Sequence, residues 1–369
     1  MKSQSKGRFW SWVVALPLAA FLLYWSLRGV DWPTVWRTLA AARWEFLAAA
    51  SLFTCFSFFV RALRWRILLN AAESLPVGIV FRATMAGYMG NAFLPARAGE
   101  LVRTLVISSR SSLSKTYVLT TALSERLMDV IAVILGASLI LLGVHPKPYW
   151  MSGIAGTMAI TAGLGALTIA VLPHTGDLCP SLVRRLPLPH ALRDRLVQLS
   201  DQVLLGMRAF HDVGRFLGFA ALTVVVWTCD ATGLIIGARA LNLVLTFPMA
   251  VLLLTGLGLS SALPSTPGYV GIYQFVAVTV LVPLGIAKSP ALAFIILVQA
   301  MGYVVTLLLG LPCLYILRRV SSSAELGGAD PLVGGRPPGR PAPLAESASS
   351  LGERVRGDPR GPGDPPHWR

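Results

Sequence analysis

Residues 117–143 read YVLTTALSERLMDVIAVILGASLILLG. As helix, this run is long enough to cross a hydrocarbon core about 30 Å thick, which takes about 20 predominantly apolar residues. Glu125, Arg126 and Asp129 lie inside it. An ionisable group at such depth costs at least about 2.5–3.5 kcal/mol on insertion scales, so each is a candidate functional residue. Glu125 and Asp129 are four apart and Arg126 and Asp129 three apart, so the three share a helix face. The stretch therefore predicts a spanning helix that carries an intramembrane charge brace. Either the brace neutralises itself and fixes helix packing, or it lines a cavity together with Arg97 or Arg103.

The rest of the chain agrees with a membrane setting. The 369 residues are 54% hydrophobic and 13% charged, where a soluble domain carries about 25% charged residues. Mean hydropathy is +0.66. These values exclude a water-soluble globular enzyme and a disordered chain. The net charge of +15 has no basic soluble domain to sit on, so a nucleic-acid partner is not expected. The fold class is all-α, a polytopic helical membrane bundle. Apolar runs at 10–27, 45–60, 117–143, 150–172, 214–238, 246–263, 269–286 and 291–317 predict eight spans. The first is too long for a signal peptide and lacks a small-x-small site at its far end, so it reads as an uncleaved span.

Two stretches fit a plain span badly. Residues 77–95 (VGIVFRATMAGYMGNAFLP) hold Arg82, Asn91 and a terminal Pro95, and residues 262–274 hold Pro264, Pro267 and Gly268. Broken backbone at membrane depth survives only where it is buried in protein or lines a wet cavity. Positive charge favours cytoplasmic loops. If 77–95 dips in and returns, the N-terminus, 61–76, 96–116, 173–213 and the C-terminus all fall on one side, with most of the non-tail Lys and Arg. A full crossing would make nine spans and scatter the basic loops. The prediction is eight spans, both termini cytoplasmic, with re-entrant or broken segments near 77–95 and 262–274. One broken segment in each half hints at a two-fold plan, a known pointer to a transport site.

The breaks carry the remaining candidates. Over 90–103 (GNAFLPARAGELVR), a helix starting near Ala96 would put Arg97, Glu100 and Arg103 on one face. Two Arg and one Glu leave a net positive pocket, and guanidinium forks bind phosphate bidentately. Solvated loop charges are the plain alternative. Over 264–274 (PSTPGYVGIYQ), Pro267 and Gly268 open the backbone, Gly271 keeps the next turn slim, and Tyr269, Tyr273 and Gln274 are polar handles; a simple kink is the alternative. Asp230 is alone in its span, and Gly233 with Gly237 forms a GxxxG packing face. Lipid head-group binding is thus assigned to Asn91, Arg97, Glu100, Arg103, Pro267, Gly268, Gly271 and Gln274.

The 191–212 loop shows a helical apolar stripe, which fits an amphipathic interfacial helix or a helix packed on the protein's own loops. Residues 320–369 hold nine Gly and nine Pro and are expected to be a disordered cytoplasmic tail, leaving 1–319 as the transmembrane domain. Four scattered Cys and five scattered His give neither a metal site nor a disulfide framework. No catalytic motif and no cofactor-binding motif is present, so a transporter is favoured over an enzyme.

Residues 87–129, with GNAFLPARAGELVR and SERLMD, resemble the first block of the lysylphosphatidylglycerol synthase transmembrane-domain family, the flippase-like domain. PSTPGYVGIYQ resembles its second block, which usually reads Pro-x-x-Pro-Gly-Gly-x-Gly with a Glu three residues later; here Tyr269 replaces the second Gly and Gln274 the Glu. The resemblance spans about 10–320 without the soluble aminoacyl-transfer domain of the full synthases. It implies that Asn91, Pro95, Arg97, Gly99, Glu100, Arg103, Glu125, Arg126 and Asp129 carry the first block, and Pro267, Gly268 and Gly271 the second. It also implies a protein of the bacterial cytoplasmic membrane that binds, and moves, a phospholipid or polyprenyl-phosphate lipid. A membrane transferase in polyprenyl-phosphate-sugar or hopanoid metabolism and a non-catalytic scaffold are the alternatives. A homo-oligomer or a partner enzyme stays open.

Overall fold

A computed structural model describes residues 17, 19–94, 98–143, 156, 157, 160, 161, 163–165, 193, 194, 196, 197, 208–260 and 267–327. The described residues form helices and turns, with no strand among them. After a helical stretch over 19–27, the elements are α1 (Trp32–Ala40), α2 (Trp44–Leu69), α3 (Val77–Phe93), α4 (Gly99–Ser108), α5 (Lys115–Gly143), a 3₁₀ turn (Arg208–His211), α6 (Val213–Ala240), α7 (Phe247–Ser260), a second 3₁₀ turn (Pro267–Tyr269), α8 (Ile272–Leu281) and α9 (Lys288–Gly327). Trp44–Leu69, Val213–Ala240 and Lys288–Arg319 are long and apolar enough to cross a membrane. The helix α5 is as long but carries Glu125, Arg126 and Asp129 in its first half.

Contacts between the helix ends sort the chain into two faces. At the first, Arg110 Nη2 donates to the Leu317 carbonyl at 2.5 Å, Ser112 N and Oγ donate to Glu73 at 2.8 and 2.6 Å, and Tyr117 OH donates to the Leu68 carbonyl at 3.0 Å. Phe210, just ahead of α6, shares an apolar cluster there with Leu69, Leu75 and Leu113. At the opposite face, Arg43 N donates to the Ala240 carbonyl at 2.9 Å, Asp31 N to Ser289 Oγ at 3.1 Å, and Lys288 Nζ to the Arg28 carbonyl at 2.5 Å. Thus α2 and α9 run toward the first face, whereas α5 and α6 run away from it.

These directions reveal an internal repeat. Each half is a long helix, two short helices packed on each other around a break, and a second long helix: α2, α3/α4, α5, then α6, α7/α8, α9. The hairpin α3/α4 opens at the first face and α7/α8 at the second, so the second half is the first one inverted. Helices α2 and α6, the leading long helices of the two halves, share the most extensive packing among the described elements. The small residues of the GxxxG face permit it: a Cβ on Gly233 would stand 3.5 Å from Phe53 Cβ, and one on Gly237 4.0 Å from Ala50 Cβ.

Several expectations change. Residues 77–93 are one continuous helix that, with α4, enters and returns as the expected re-entrant segment; Gly87 and Gly90 are small because α4 lies against them, and α3 ends at Phe93. The return helix starts at Gly99 rather than near Ala96. The expected spans 246–263 and 269–286 are instead α7 and α8, 14 and 10 residues long. At 1.5 Å per residue they reach only about 21 and 15 Å, too short to cross alone. Residues 61–69, read as part of a basic loop, continue α2. The beginning of the expected first span, most of 150–172 and of 191–212, and the tail beyond 327 lie outside the described residues, and the count of eight spans therefore stands as an expectation.

Trp25, Trp32, Trp36 and Trp44 cluster in sequence at the second face and are 42–77% exposed. Indoles at the ends of spanning helices fit a membrane–water interface, where an apolar body and a polar N–H are both satisfied.

Candidate functional site

The site is built on α2. In FFVRALRWRILL, Arg61 and Arg64 stand three apart and so project from one side of the helix toward α5 and α6. The Arg64 side chain is fully buried. Its Nη1 and Nη2 reach Asp129 Oδ1 and Oδ2 at 2.6 and 2.9 Å, Nη2 also donates to Glu125 Oε1 at 2.8 Å, and Nη1 to Thr223 Oγ1 of α6 at 3.3 Å. The planar fork of guanidinium suits this arrangement, since it engages both oxygens of Asp129 at once. The Phe219 ring packs on the same group, 5.1 Å from Arg64 Cζ.

Arg103 of α4 extends the network. Its Nη1 donates to Glu125 Oε2 at 2.9 Å and its Nε lies 2.5 Å from Glu100 Oε2. The guanidinium lies over the Trp65 ring, 4.5 Å from the centroid, a cation–π contact that helps replace lost hydration. Arg126 completes the set, with Nη2 3.0 Å from Glu100 Oε1 and Nη1 3.8 Å from Asp129 Oδ2. Three guanidinium groups thus meet three carboxylates. The described members of the group balance in charge, because Arg64 enters with Glu125 and Asp129; the net positive pocket expected from Arg97, Glu100 and Arg103 turns on Arg97. The open edge of the group is Arg126, whose side chain is 40% exposed. Arg97 lies outside the described residues.

The first break is held closed by close approach. Asn91 Oδ1 accepts from Gly99 N at 3.1 Å, and a Cβ on Gly99 would come within 2.0 Å of the Gly87 carbonyl. No residue larger than Gly fits there. The second break is held by left-handed backbone: φ is +69° at Gly268, +62° at Tyr269 and +91° at Gly271. Glycine adopts such angles freely and other residues rarely do. Tyr269, standing where the family pattern has Gly, stacks on Tyr273 with ring centroids 4.9 Å apart. Gln274 is buried; its Oε1 accepts from Gly271 N at 2.7 Å and its Nε2 donates to Gln299 Oε1 at 2.7 Å.

The two breaks are neighbours. Helix α3 packs against the Pro267–Tyr269 turn, and Phe93 at its end lies beside Tyr303 of α9, ring centroids 6.5 Å apart. Tyr303 OH in turn donates to the Gly268 carbonyl at 2.6 Å. The structure therefore brings together Asn91, Glu100, Arg103, Glu125, Arg126 and Asp129 in the first half, and Gly268, Gly271 and Gln274 in the second.

Sequence reasoning missed Arg64, Trp65, Thr223, Gln299 and Tyr303. A signal existed for Arg64: two Arg at helical spacing directly follow an apolar run without an intervening turn residue. Arg61 pairs with Asp230 of α6, which answers the lone carboxylate noted in that span. Both side chains are partly exposed, 14% and 19%, so neutralising either is expected to cost about 1–2 kcal/mol, less than for a fully buried pair. The reciprocal exchange of Arg61→Asp with Asp230→Arg should recover most of the loss in thermal unfolding midpoint. An exchange no better than the single changes would show that the two do not act as a pair.

The long apolar helices, the internal repeat and the buried ion network define a multi-pass helical membrane protein. The chain matches the family model for the lysylphosphatidylglycerol synthase TM region over residues 12–310, and it belongs to that family. No curated protein and no solved structure shows a significant match.

Proposed function

We propose that this protein binds a phosphate-bearing lipid and translocates it across the bacterial cytoplasmic membrane, with both termini in the cytoplasm. One observation carries the reading: two broken hairpins that open to opposite faces meet at their tips, beside a buried ion network. Inverted repeats with interrupted helices meeting inside the membrane are the architecture of secondary transporters, in which the site lies where the repeats meet. Tyr303, at the contact of the two tips, lies midway between Lys288 and Leu317 on α9, which supports a position near the bilayer centre.

The chemistry supports a phosphate ligand. Arg97 lies in sequence between α3 and α4, Arg126 is the open edge of the network, and both are suited to bidentate contact with phosphate oxygens. The positive dipole end of α4, which begins one residue before Glu100, also suits an anion. Glu100, Glu125 and Asp129 are each engaged by guanidinium, which argues against a general base for a transferase. The favoured orientation makes the first face cytoplasmic, following the positive charge there.

Arg97→Ala and Arg126→Ala should each lower the transfer of fluorescent phospholipid in proteoliposomes by at least about tenfold, a loss of about 1.4 kcal/mol or more. The Arg126 variant should remain monodisperse, since that side chain is 40% exposed and Glu100 keeps Arg103 as a partner, whereas Arg64 is fully buried. Wild-type transfer rates in both would reject the site.

A further inference from the structure

The repeat makes the two halves comparable residue by residue. Glu125 of α5 holds Arg103 of the second short helix of its hairpin, and Asp129, four residues on, holds Arg64 beside it. In the second half, Gln299 of α9 accepts from Gln274 of the second short helix α8, and Tyr303, four residues on, accepts from Gln299 beside it. The geometry is repeated while the chemistry is not: the first half is ionic and the second is built from amides and a phenol.

This neutral set has a definite task. Gln299 Nε2 donates to the Gly268 carbonyl at 2.5 Å and to Tyr303 OH at 3.1 Å, and Tyr303 OH donates to the same carbonyl. Gln274 takes the Gly271 N–H. Both ends of the left-handed turn are thereby fixed at the point where it faces Phe93 of the first half. A Cβ on Gly268 would stand 1.8 Å from Tyr303 Oη, so the turn and the phenol fit only as they are. Gln299 and Tyr303 are partly exposed, in contrast to buried Gln274.

We infer that Gln274, Gln299 and Tyr303 set the head-group preference of the lipid site, admitting uncharged hydroxyl-bearing head groups and rejecting those with an ammonium group; the inference rests on the lipid-binding reading above. The argument is one of supply. An ammonium brought out of water needs an anion, or it forfeits hydration it cannot replace. In the first half each carboxylate of the network already answers a guanidinium, and in the second half the groups around the turn carry no charge. With their hydrogens committed to the turn, Gln299 Oε1 and Tyr303 Oη keep lone pairs that accept from the hydroxyls of a polyol head group, and Gln274 acts through them as a positioning residue.

The test is a competition read by native mass spectrometry on the full-length protein in micelles, with equal amounts of phosphatidylglycerol and phosphatidylethanolamine. The wild type should retain phosphatidylglycerol over phosphatidylethanolamine by about tenfold. Gln274→Glu puts a carboxylate one hydrogen bond behind the turn and should shift that ratio toward phosphatidylethanolamine by about tenfold. Tyr303→Phe, which removes a bond to Gly268 without adding charge, should weaken both lipids and leave the ratio unchanged. A merely structural role for Gln274 would lower both lipids alike and so overturn the inference. If Gln274→Glu does not fold, Gln299→Glu makes the same test, and equal retention by the wild type overturns the inference whatever the variants do. Retention of neither lipid overturns the lipid-binding reading itself, which separates the two failures.

Discussion

Replacing Arg64 with Met is expected to abolish the folded protein rather than merely its activity. The side chain is fully buried and holds Asp129 through two bonds and Glu125 through one. Without it, Asp129 keeps only Arg126 at 3.8 Å, and the network carries a net negative charge in a dry setting. Removing one partner of a buried pair costs about 3–5 kcal/mol, a large share of the about 5–15 kcal/mol that separates folded from unfolded states. Size-exclusion chromatography in detergent should show aggregate in place of a monodisperse peak. Arg64→Lys should fall between the two, because an ammonium supplies the charge but not the fork. Replacing Arg64, Glu125 and Asp129 together by Met, Gln and Asn should recover part of the folded yield. A wild-type unfolding midpoint for Arg64→Met would mean that the network is dispensable for folding.

Gly99→Ala is the second change with a large expected effect. The added methyl would lie 2.0 Å from the Gly87 carbonyl oxygen and 2.5 Å from Asn91 Oδ1. Asn91 can swing away, but the carbonyl belongs to the α3 backbone and cannot, so the hairpin must spread. Overpacking costs about 1–3 kcal/mol, and more when backbone must move. Spreading also carries Glu100 and Arg103 off their partners one turn along α4. Lipid transfer should fall by at least about tenfold together with a lower unfolding midpoint. Gly302→Ala is the matched control: nothing lies within 4 Å of its added carbon, although it adjoins Tyr303, so transfer and midpoint should both hold. Equal behaviour of the two variants would refute the close-packed hairpin.

The membrane setting was legible because apolar length is a direct physical demand of the bilayer. The breaks were legible because Pro and Gly interrupt helices by covalent geometry rather than by context. Their placement was less so. Asn91 and Pro95 marked a break in 77–95, but α3 runs on to Phe93, and what Gly87 and Gly90 do inside it, letting another helix approach, only the neighbour decides. Pro264, Pro267 and Gly268 were recognised as breakers, but not that α7 and α8 would stop short of a full crossing, since short and long apolar runs look alike until the turns are fixed. Glu125, Arg126, Asp129, Glu100 and Arg103 were found because charge in an apolar run is conspicuous. Arg64 was missed for the converse reason: at the end of such a run, an Arg reads as the start of a loop. Gln299 and Tyr303 carry no charge to draw notice, and their place emerges only when the two halves are compared.

The exposed indoles at the second face fix the protein's vertical position. Trp44 opens α2, and Arg64 lies twenty residues further along the same helix, about 30 Å at 1.5 Å per residue. That equals the hydrocarbon thickness, so with the indoles at one waterline the ion network sits level with the phosphates of the opposite leaflet. Under the proposed function, a head group drifting in that leaflet would reach Arg126 sideways, without leaving its own depth. From there the meeting tips of the hairpins lie one step inward, at the middle of the bilayer. In the proposed function, the described groups around the second turn are amides and a phenol, so a descent that begins on charge would end without it.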